Sequence, residues 1–242
     1  MAVHNCAKYL PASIDSILNQ TIGSFEFIII DDGSDGSVAK VLDNYNDRRI
    51  RKVRLNKNIG LTKCLNIAID LARGDIFVRH DGDDIAVPDR FEKELSLLTG
   101  RVGLVSCWAD AIDENDNIIE DPWTYEGLRQ DVSSVEKQLP HKNCILSPGA
   151  MFTRKVFNQI GYFDPKVRYA QDYNYWLRLV QYFMIDIVPE VLIHKRIHSD
   201  SVWSQILDKP QDWLNVARDR AYQQTIIKKV HHEIIPPCLK NL

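Results

Sequence analysis

The sequence predicts an α/β protein built on a mainly parallel, doubly wound sheet with helices on both faces. Two observations predict it: residues at helical spacing alternate with short strand-like runs through the first half of the chain, and the clearest of these runs are apolar at every position. A strand that is apolar throughout has both faces buried, as in a parallel sheet covered by helices. The 242 residues, 45 % of them hydrophobic, suit one compact fold.

The elements follow one another in a regular order. Apolar spacing separates helices from strands, and the helical pattern from Leu61 to Ala72 stops at Gly74. In the first half we predict helices near residues 10–18, 38–45 and 61–72 and strands at 25–30, 50–55 and 76–78. In the second half we predict strands at 102–107, 149–153 and 184–188, a helix around Trp176, and an amphipathic packing helix at 213–230.

The domain prediction divides the chain at about residue 204. Residues 1–204 are expected to form the main domain, with donor binding in 1–107 and acceptor binding in 108–204, and residues 205–242 a helical extension. Contact of the helix at 213–230 with a membrane surface is the alternative to packing.

Composition and charge exclude several classes of protein. A net charge of -3 with mixed acids and bases gives no reason to expect nucleic acid as a partner. No apolar run approaches the roughly 20 residues of a membrane span, and no signal peptide is apparent, so we expect a cytoplasmic protein, with peripheral contact at the inner membrane face as the alternative. The five cysteines lack CxxC spacing and indicate reduced thiols.

Carboxylates follow two of the predicted strands. Asp31 and Asp32 end one apolar run, and residues 81–84, with the sequence DGDD, follow another. Because carboxyl ends of parallel strands share one edge of a sheet, we expect the two groups to converge. Like charges this close need a cation, and oxygen ligands suit Mg²⁺ or Mn²⁺ carrying a diphosphate. The alternative for DGDD alone is a solvated acidic turn.

Several segments, in this order, resemble family 2 glycosyltransferases of the GT-A fold. The resemblance extends to about residue 204. It implies an inverting transferase that uses a nucleotide-sugar, most often UDP-linked, with Mg²⁺ or Mn²⁺, and a saccharide or glycolipid acceptor. The segments are AVHNCAKYLPASIDSILNQTIGSFEFIIIDDGSDGS, NKNIGLTKCLNIAIDLARGDIFVRHDGDD, SPGAMFTRKVFNQIGYFDP, YAQDYNYWLRL and KRIHSDSVW.

The resemblance also implies roles for residues in the donor half. Val3 and Asn5 correspond to the end of the family's first strand, against the nucleotide. Asp32 resembles the acid that reads the base, and Asp81 resembles the ribose or sugar contact of the family's DxD motif. Lys63 lies either near the nucleotide or on an exposed helix face.

The same resemblance implies roles for residues that contact the metal and the acceptor. Asp83 resembles the metal ligand of the DxD motif, and His198 a loop residue that reaches the metal or diphosphate, with a packing role as the alternative. Asp172 matches the catalytic base, which takes the acceptor's proton. From the residues alone, Asp172 would instead be a helix cap.

The sequence departs from the family pattern in three ways. The family's first strand is truncated here, because MAVHN stands where that strand should already have ended. This indicates a downstream start, a trimmed chain or a tolerated gap in the sheet. Leu65 replaces an arginine that many relatives carry, and no QxxRW motif of processive synthases is present, which favours single-sugar transfer.

Two rival functions remain open at this point. DGDDI after a strand also suits the aspartyl nucleophile of a phosphatase, which would form a phosphoenzyme. A degenerate module that binds nucleotide-sugars without turnover is the non-enzyme alternative. Neither donor sugar, acceptor, linkage nor oligomeric state follows from the sequence.

Overall fold

The structure, a computed structural model, describes residues 1–119, 135, 137–201 and 212–234. Most predicted elements of the first half are present with bounds within a few residues of those expected. The strands are β1 Ala2–Val3, β2 Phe27–Asp31, β3 Ile50–Arg54, β4 Ile76–Val78, β5 Ile85–Ala86, β6 Val102–Ile112, β7 Ile118–Ile119, β8 Met151–Thr153 and β9 Met184–Arg196. The helices are α1 Leu10–Leu18, α2 Ser37–Asp43, α3 Leu61–Leu71, α4 Arg90–Leu97, α5 Arg154–Ile160, α6 Gln171–Leu179 and α7 Asp212–Ile234.

A small parallel sheet carries the first acidic strand end. β2 lies between β1 and β3 and runs parallel to both. All five residues of β2 are buried, as its uninterrupted apolar run predicts. β1 is two residues long and pairs with Ile30 and Asp31, so the first strand is short, as the sequence predicts.

The second sheet is mixed, which corrects the prediction of a mainly parallel sheet. Its strand order is β4-β8-β6-β9-β5, with β7 also paired to β6. Among the strands that the structure describes, the β6–β9 pair of this sheet is the only parallel one, whereas β8 runs antiparallel to both of its neighbours and β5 runs antiparallel to β9. Alternation of helix and strand ends after β4 in the chain, so the reason to expect parallel neighbours also ends there.

Two strands are longer than predicted because they continue through a bulge. The ladder between β6 and β9 pairs Cys107 with Val188 and then Trp108 with Val191. Pro189 and Glu190 are exposed at this irregularity, where a proline needs no ladder donor. β9 therefore continues to Arg196, and the loop that follows it brings His198 close to Asp83.

The last described helix packs against α6. Ala217 and Ala221 on α7 are buried, the Asn174 side chain donates to the Ala217 carbonyl at 3.1 Å, and Arg220 pairs with Asp164 at 2.6 Å. Packing, the first of the two predicted roles, is confirmed for the side chains described between residues 214 and 225. Within the described ranges, no helix is long and apolar enough to span a membrane.

Four of the five cysteines lie within the described residues, and all four are free thiols: Cys6, Cys64, Cys107 and Cys144. Burial raises the pKa of the Cys64 thiol to about 12 and that of Cys144 to about 11. Their thiols are therefore protonated packing groups at neutral pH. Cys238 lies outside the described residues.

Candidate functional site

The two acidic strand ends lie on one rim of the molecule. A Cβ added to Gly82 would lie 2.6 Å from Cγ1 of Val3 and 3.1 Å from Sγ of Cys6, so only glycine lets the DGDD turn approach β1 this closely. Burial raises the pKa of Cys6 to about 12, and the carboxylates of Asp83 and Asp31 add to the shift. Cys6 therefore lies between the two acidic groups.

Asp32 is buried and holds the loop that leads into α3. Its Oδ1 accepts the Ile59 amide at 2.7 Å and its Oδ2 accepts the Gly60 amide at 2.9 Å. A ring nitrogen of His4 lies 3.0 Å from the Asp32 carbonyl. The two amides therefore fix the position of the Asp32 carboxylate before any ligand binds. A ligand that donates to this carboxylate does so beside these two backbone hydrogen bonds.

Val3 and Asn5 brace the loop after β2. The Asp32 amide donates to the Val3 carbonyl at 2.8 Å. Asn5 adopts a left-handed conformation with φ of 51°, its amide donates to Oγ of Ser34 at 3.1 Å, and its Oδ1 accepts the Asp35 amide at 3.1 Å. Asparagine adopts this conformation more readily than most other non-glycine residues, and the two hydrogen bonds hold Asn5 in it.

Lys63 lies in the first turn of α3, just after the loop that Asp32 holds. Its side chain is exposed. Both sequence-level alternatives for Lys63 are compatible with this placement.

Asp83 and His198 are brought together from positions more than a hundred residues apart. Nε2 of His198 lies 3.0 Å from Oδ2 of Asp83. The His198 ring is 7 % exposed and contacts the Tyr9 ring, with 4.8 Å between the ring centroids. The imidazole is therefore held on the rim by packing and is aimed at the carboxylate.

Asp81 pairs with an arginine of the protein itself. An Arg79 guanidinium nitrogen donates to its Oδ1 at 3.1 Å, and Oγ of Ser13 donates to its carbonyl at 2.8 Å. About a third of the Asp81 side chain is exposed, at 31 %. The three carboxylates of the turn thus have different partners.

Asp84 is the buried member of the turn. Burial raises its pKa well above the ordinary range, and the neighbouring carboxylates of Asp83 and Asp81 raise it further, while the Arg196 amide, which donates to its Oδ1 at 2.9 Å, opposes the shift. The carboxylates of Asp81 and Asp83 therefore repel the charged form of Asp84, as the sequence predicts for like charges this close.

Arg196 is a site residue that the sequence reasoning did not assign. Besides the amide contact, its Nε donates to the Asp83 carbonyl at 2.9 Å and its side chain donates to the Asp113 carbonyl at 2.7 Å. The guanidinium also lies over the Tyr9 ring, 4.7 Å from the centroid. In the sequence, the available signal for Arg196 was its position in KRIHSDSVW, two residues before His198. Its burial points the same way, because a buried arginine is rare unless it is paired.

A buried ion pair supports the strand that leads into the turn. Nε of Arg90 donates to Oε1 of Glu94 at 2.9 Å, and neither side chain is exposed. The Arg90 guanidinium also donates to the Arg79 carbonyl at 3.0 Å and lies 3.4 Å from a ring nitrogen of His80. The backbone just before Asp81 is therefore fixed by α4. The sequence analysis missed this pair.

Asp172 lies inside the first turn of α6 and is not its N-cap. The N-cap position is Ala170, in a left-handed conformation with φ of 55° and no side-chain cap. Oδ1 of Asp172 accepts the Tyr173 amide at 2.8 Å, and its Oδ2 accepts from Nδ2 of Asn143 at 3.3 Å. The carboxylate is half-buried and positioned by both contacts, while each oxygen retains acceptor capacity.

The donor atoms on the rim fit a divalent cation that arrives with phosphate. Asp83 and His198 provide one carboxylate oxygen and one imidazole nitrogen. Across the ranges that the structure describes, no group of three or more His, Cys, Asp or Glu side chains could hold an ion alone. Mg²⁺ and Mn²⁺ commonly use one or two protein ligands and complete their coordination with water and substrate phosphate.

The chain is similar to known proteins over most of its length. The family model "Glycosyl transferase family 2" matches residues 1–161. The chain is 35 % identical over 217 residues to the O-antigen biosynthesis glycosyltransferase WbnJ of Escherichia coli, covering 86 % of this chain and 82 % of WbnJ. It is 32 % identical over 214 residues to an uncharacterized glycosyltransferase of Methanocaldococcus jannaschii, covering 85 % and 72 % of the two chains.

Two solved structures share the fold. S. aureus TarS in complex with UDP-GlcNAc has a TM-score of 0.69 at 15 % identity, covering 93 % of this chain and 69 % of that chain. The mannosyltransferase PcManGT of Pyrobaculum calidifontis, in complex with GDP-Man and Mn²⁺, has a TM-score of 0.63 at 20 % identity, covering 98 % and 64 %. The GT-A fold class predicted from the sequence is confirmed.

Proposed function

The chain belongs to glycosyl transferase family 2, and from this premise we propose that it transfers one sugar, with inversion, from a UDP-sugar to a hydroxyl of a saccharide or glycolipid. Membership in this family removes the phosphatase alternative. Donor binding is assigned to residues 1–107 and acceptor binding to residues 108–204. The name of WbnJ, which refers to O-antigen biosynthesis, supports a saccharide product.

The pairing of Asp83 with His198 is the observation on which the proposal depends. The two side chains are 115 residues apart in the chain, and they lie 3.0 Å apart just beyond the carboxyl ends of β4 and β9. Ligands bind at this edge of open α/β sheets. Asp83 and His198 would hold Mn²⁺ or Mg²⁺, and Mn²⁺ is present in the structure of PcManGT. When bound, the cation supplies positive charge that stabilises the diphosphate leaving group.

The nucleotide is assigned to the face formed by the loops after β1, β2 and β4. Asp32 would accept from the base, since its carboxylate is fixed by two amides yet keeps unused lone pairs. Val3 and Asn5 would form the wall against the nucleotide, Asp81 would contact the ribose or sugar, and the exposed Lys63 would approach the phosphates. The complex of TarS with UDP-GlcNAc supports UDP as the nucleotide.

Asp172 is assigned as the general base. A sugar hydroxyl is a weak nucleophile, so a carboxylate must accept its proton while it attacks the anomeric carbon from the side opposite the leaving group. The contacts with the Tyr173 amide and the Asn143 side chain orient the carboxylate. A module that only binds nucleotide-sugars would need no such group.

Replacing Asp83 by asparagine is expected to weaken Mn²⁺-dependent UDP binding by about 1 to 3 kcal/mol, the scale for losing a charged partner. Isothermal titration calorimetry with UDP, in Mn²⁺ and in EDTA, measures this directly. The Asp83→Asn variant should keep the weak binding that the parent shows in EDTA, because the nucleotide contacts are intact.

The matched control is Glu190→Gln, which removes an exposed carboxylate of β9 that pairs with Lys93 of α4. This variant should bind UDP with the affinity of the parent. Metal-dependent binding that Asp83→Asn leaves unchanged would contradict the metal assignment. A parent chain that binds no UDP even with Mn²⁺ would contradict the proposed function itself.

A further inference from the structure

A run of basic residues crosses β3 and the loops on either side of it. Six of the ten residues from 48 to 57 are arginine or lysine, and none of the ten is acidic. The chain as a whole has 30 basic residues and a net charge of -3. A fifth of its positive charge therefore lies in one short segment of a protein that is slightly acidic overall.

Five of these basic side chains are exposed, and together we call them the basic edge. β3 pairs with β2 on one side, and among the described strands none pairs with its other side. Successive side chains of a strand point to opposite faces, so cations extend from both faces along this open edge. The basic edge consists of Arg48, Arg51, Lys52, Arg54 and Lys57.

The charges of the basic edge are mostly uncompensated. The side chains of Arg51 and Lys52 donate to backbone carbonyls at 3.2 Å and 2.8 Å, and these acceptors carry no charge. Among the residues that the structure describes, Arg54 alone of the five has a carboxylate at ion-pair distance, with its Nε 3.5 Å from Oδ2 of Asp31. The edge therefore presents a positive field to the solvent.

The basic edge leads directly to the acidic rim. β3 runs parallel to β2, and Arg54 is the register partner of Asp31, so both residues lie at the carboxyl ends of their strands. The Arg54 guanidinium also donates at 3.4 Å to the carbonyl of Ser34, in the loop after β2. A partner that lies along the basic edge would therefore lie beside the proposed donor site.

The chemistry of the basic edge fits an anionic membrane surface better than a nucleic acid. Residues 48–57 include no aromatic side chain on which a base could stack. Long basic side chains on an open edge form no fixed pocket, but lipid headgroups are mobile and can gather around such a cluster of cations. We propose that the basic edge binds the anionic headgroups of a membrane and holds the donor site beside its surface. This rests on the proposed function, in which a glycolipid is one of the acceptors.

Sedimentation with lipid vesicles tests the proposal. The chain is mixed with vesicles of phosphatidylcholine alone, or of phosphatidylcholine with phosphatidylglycerol as the anionic lipid, and the bound fraction is measured. We expect binding to the anionic vesicles only. About 1 M NaCl should release the protein, because it screens charges beyond about 3 Å.

Replacing three residues of the basic edge by glutamine should weaken binding to anionic vesicles at least about tenfold, because each cation near the surface contributes to the attraction. Glutamine keeps an N–H donor for the backbone carbonyls that these side chains contact. The three residues are Arg48, Arg51 and Lys52.

The matched control removes the same amount of charge from exposed positions outside the basic edge. The three residues replaced by glutamine in the control are Arg101, Lys155 and Lys166. Vesicle binding by the control should stay within about twofold of the parent, since attraction to the surface falls off within a Debye length.

UDP binding in Mn²⁺ separates this proposal from the proposed function. Both triple variants should bind UDP as the parent does, because none of the six residues is assigned to the nucleotide or the metal. A parent that binds anionic vesicles but no UDP would contradict the proposed function and not the basic edge. The membrane proposal is overturned if both triple variants lose vesicle binding equally, if phosphatidylcholine alone binds as tightly, or if the basic edge binds single-stranded DNA or heparin but not anionic vesicles.

Discussion

Replacing Asp172 by asparagine is expected to lower the rate of sugar transfer by about 10²- to 10⁴-fold while leaving UDP and metal binding close to the parent values. Asparagine preserves the size of the side chain and can accept from the Tyr173 amide, but it cannot accept a proton at neutral pH. Release of UDP from a UDP-sugar, with an acceptor saccharide or with water as the slow acceptor, measures the rate.

The matched control for Asp172→Asn is Glu92→Gln. Glu92 is also an acid in the first turn of a helix, so its loss removes the same interaction with the helix dipole. Glu92→Gln should transfer sugar at the parent rate. Transfer by Asp172→Asn within a few-fold of the parent at saturating donor would show that Asp172 is structural.

Replacing Arg90 by methionine is expected to destabilise the fold by about 3 to 5 kcal/mol, because Glu94 then remains buried without its partner. The carbonyl of Arg79 also loses its donor, so the strand before the DGDD turn is weakened. Urea denaturation monitored by circular dichroism measures the change in the free energy of unfolding. Lys93→Met, on the same helix, removes exposed ion pairs and should change it by less than about 1 kcal/mol.

The loss in Arg90→Met should depend on pH in a defined direction. Burial already raises the pKa of Glu94 above its usual value, and removing the Arg90 guanidinium raises it further. An acid whose pKa is higher in the folded than in the unfolded state destabilises the fold increasingly as the pH rises above the unfolded value, so the loss should be larger at pH 8 than at pH 5. A double variant, Arg90→Met with Glu94→Leu, should recover most of the stability. Equal losses in the single and double variants would contradict the role of the buried charge.

Local patterns in the sequence were sufficient for the first half of the fold. The buried strand β2 and the helices beside it follow from apolar runs and helical spacing, which depend on neighbouring residues only. β9 was predicted to end at residue 188, where the apolar run MIDIV stops. The structure places Pro189 in a bulge, and the bulge exists only because β6 is its partner. Pairing between distant strands therefore decided what local pattern could not.

The candidate site shows the same limit. The sequence predicted that the two acidic strand ends converge, and it proposed Asp83 and His198 by resemblance. Arg196 could not be assigned, because its partners Asp83 and Asp113 lie about eighty or more residues earlier in the chain. Arg90 was missed for a different reason: nothing in a charged helix pattern shows that one i,i+4 ion pair is completely buried.

Turnover of a nucleotide-sugar by the purified chain is the most direct test of the central claim. A panel of UDP-, GDP- and dTDP-sugars, each with Mn²⁺ or EDTA, is scored by the melting temperature of the protein and by release of the nucleoside diphosphate. We expect at least one UDP-sugar to raise the melting temperature only with Mn²⁺ and to be consumed at a rate that Asp172→Asn abolishes. Metal-dependent UDP binding without any nucleotide release above the protein-free rate, with any donor or added saccharide, would identify a binding module and contradict the claim.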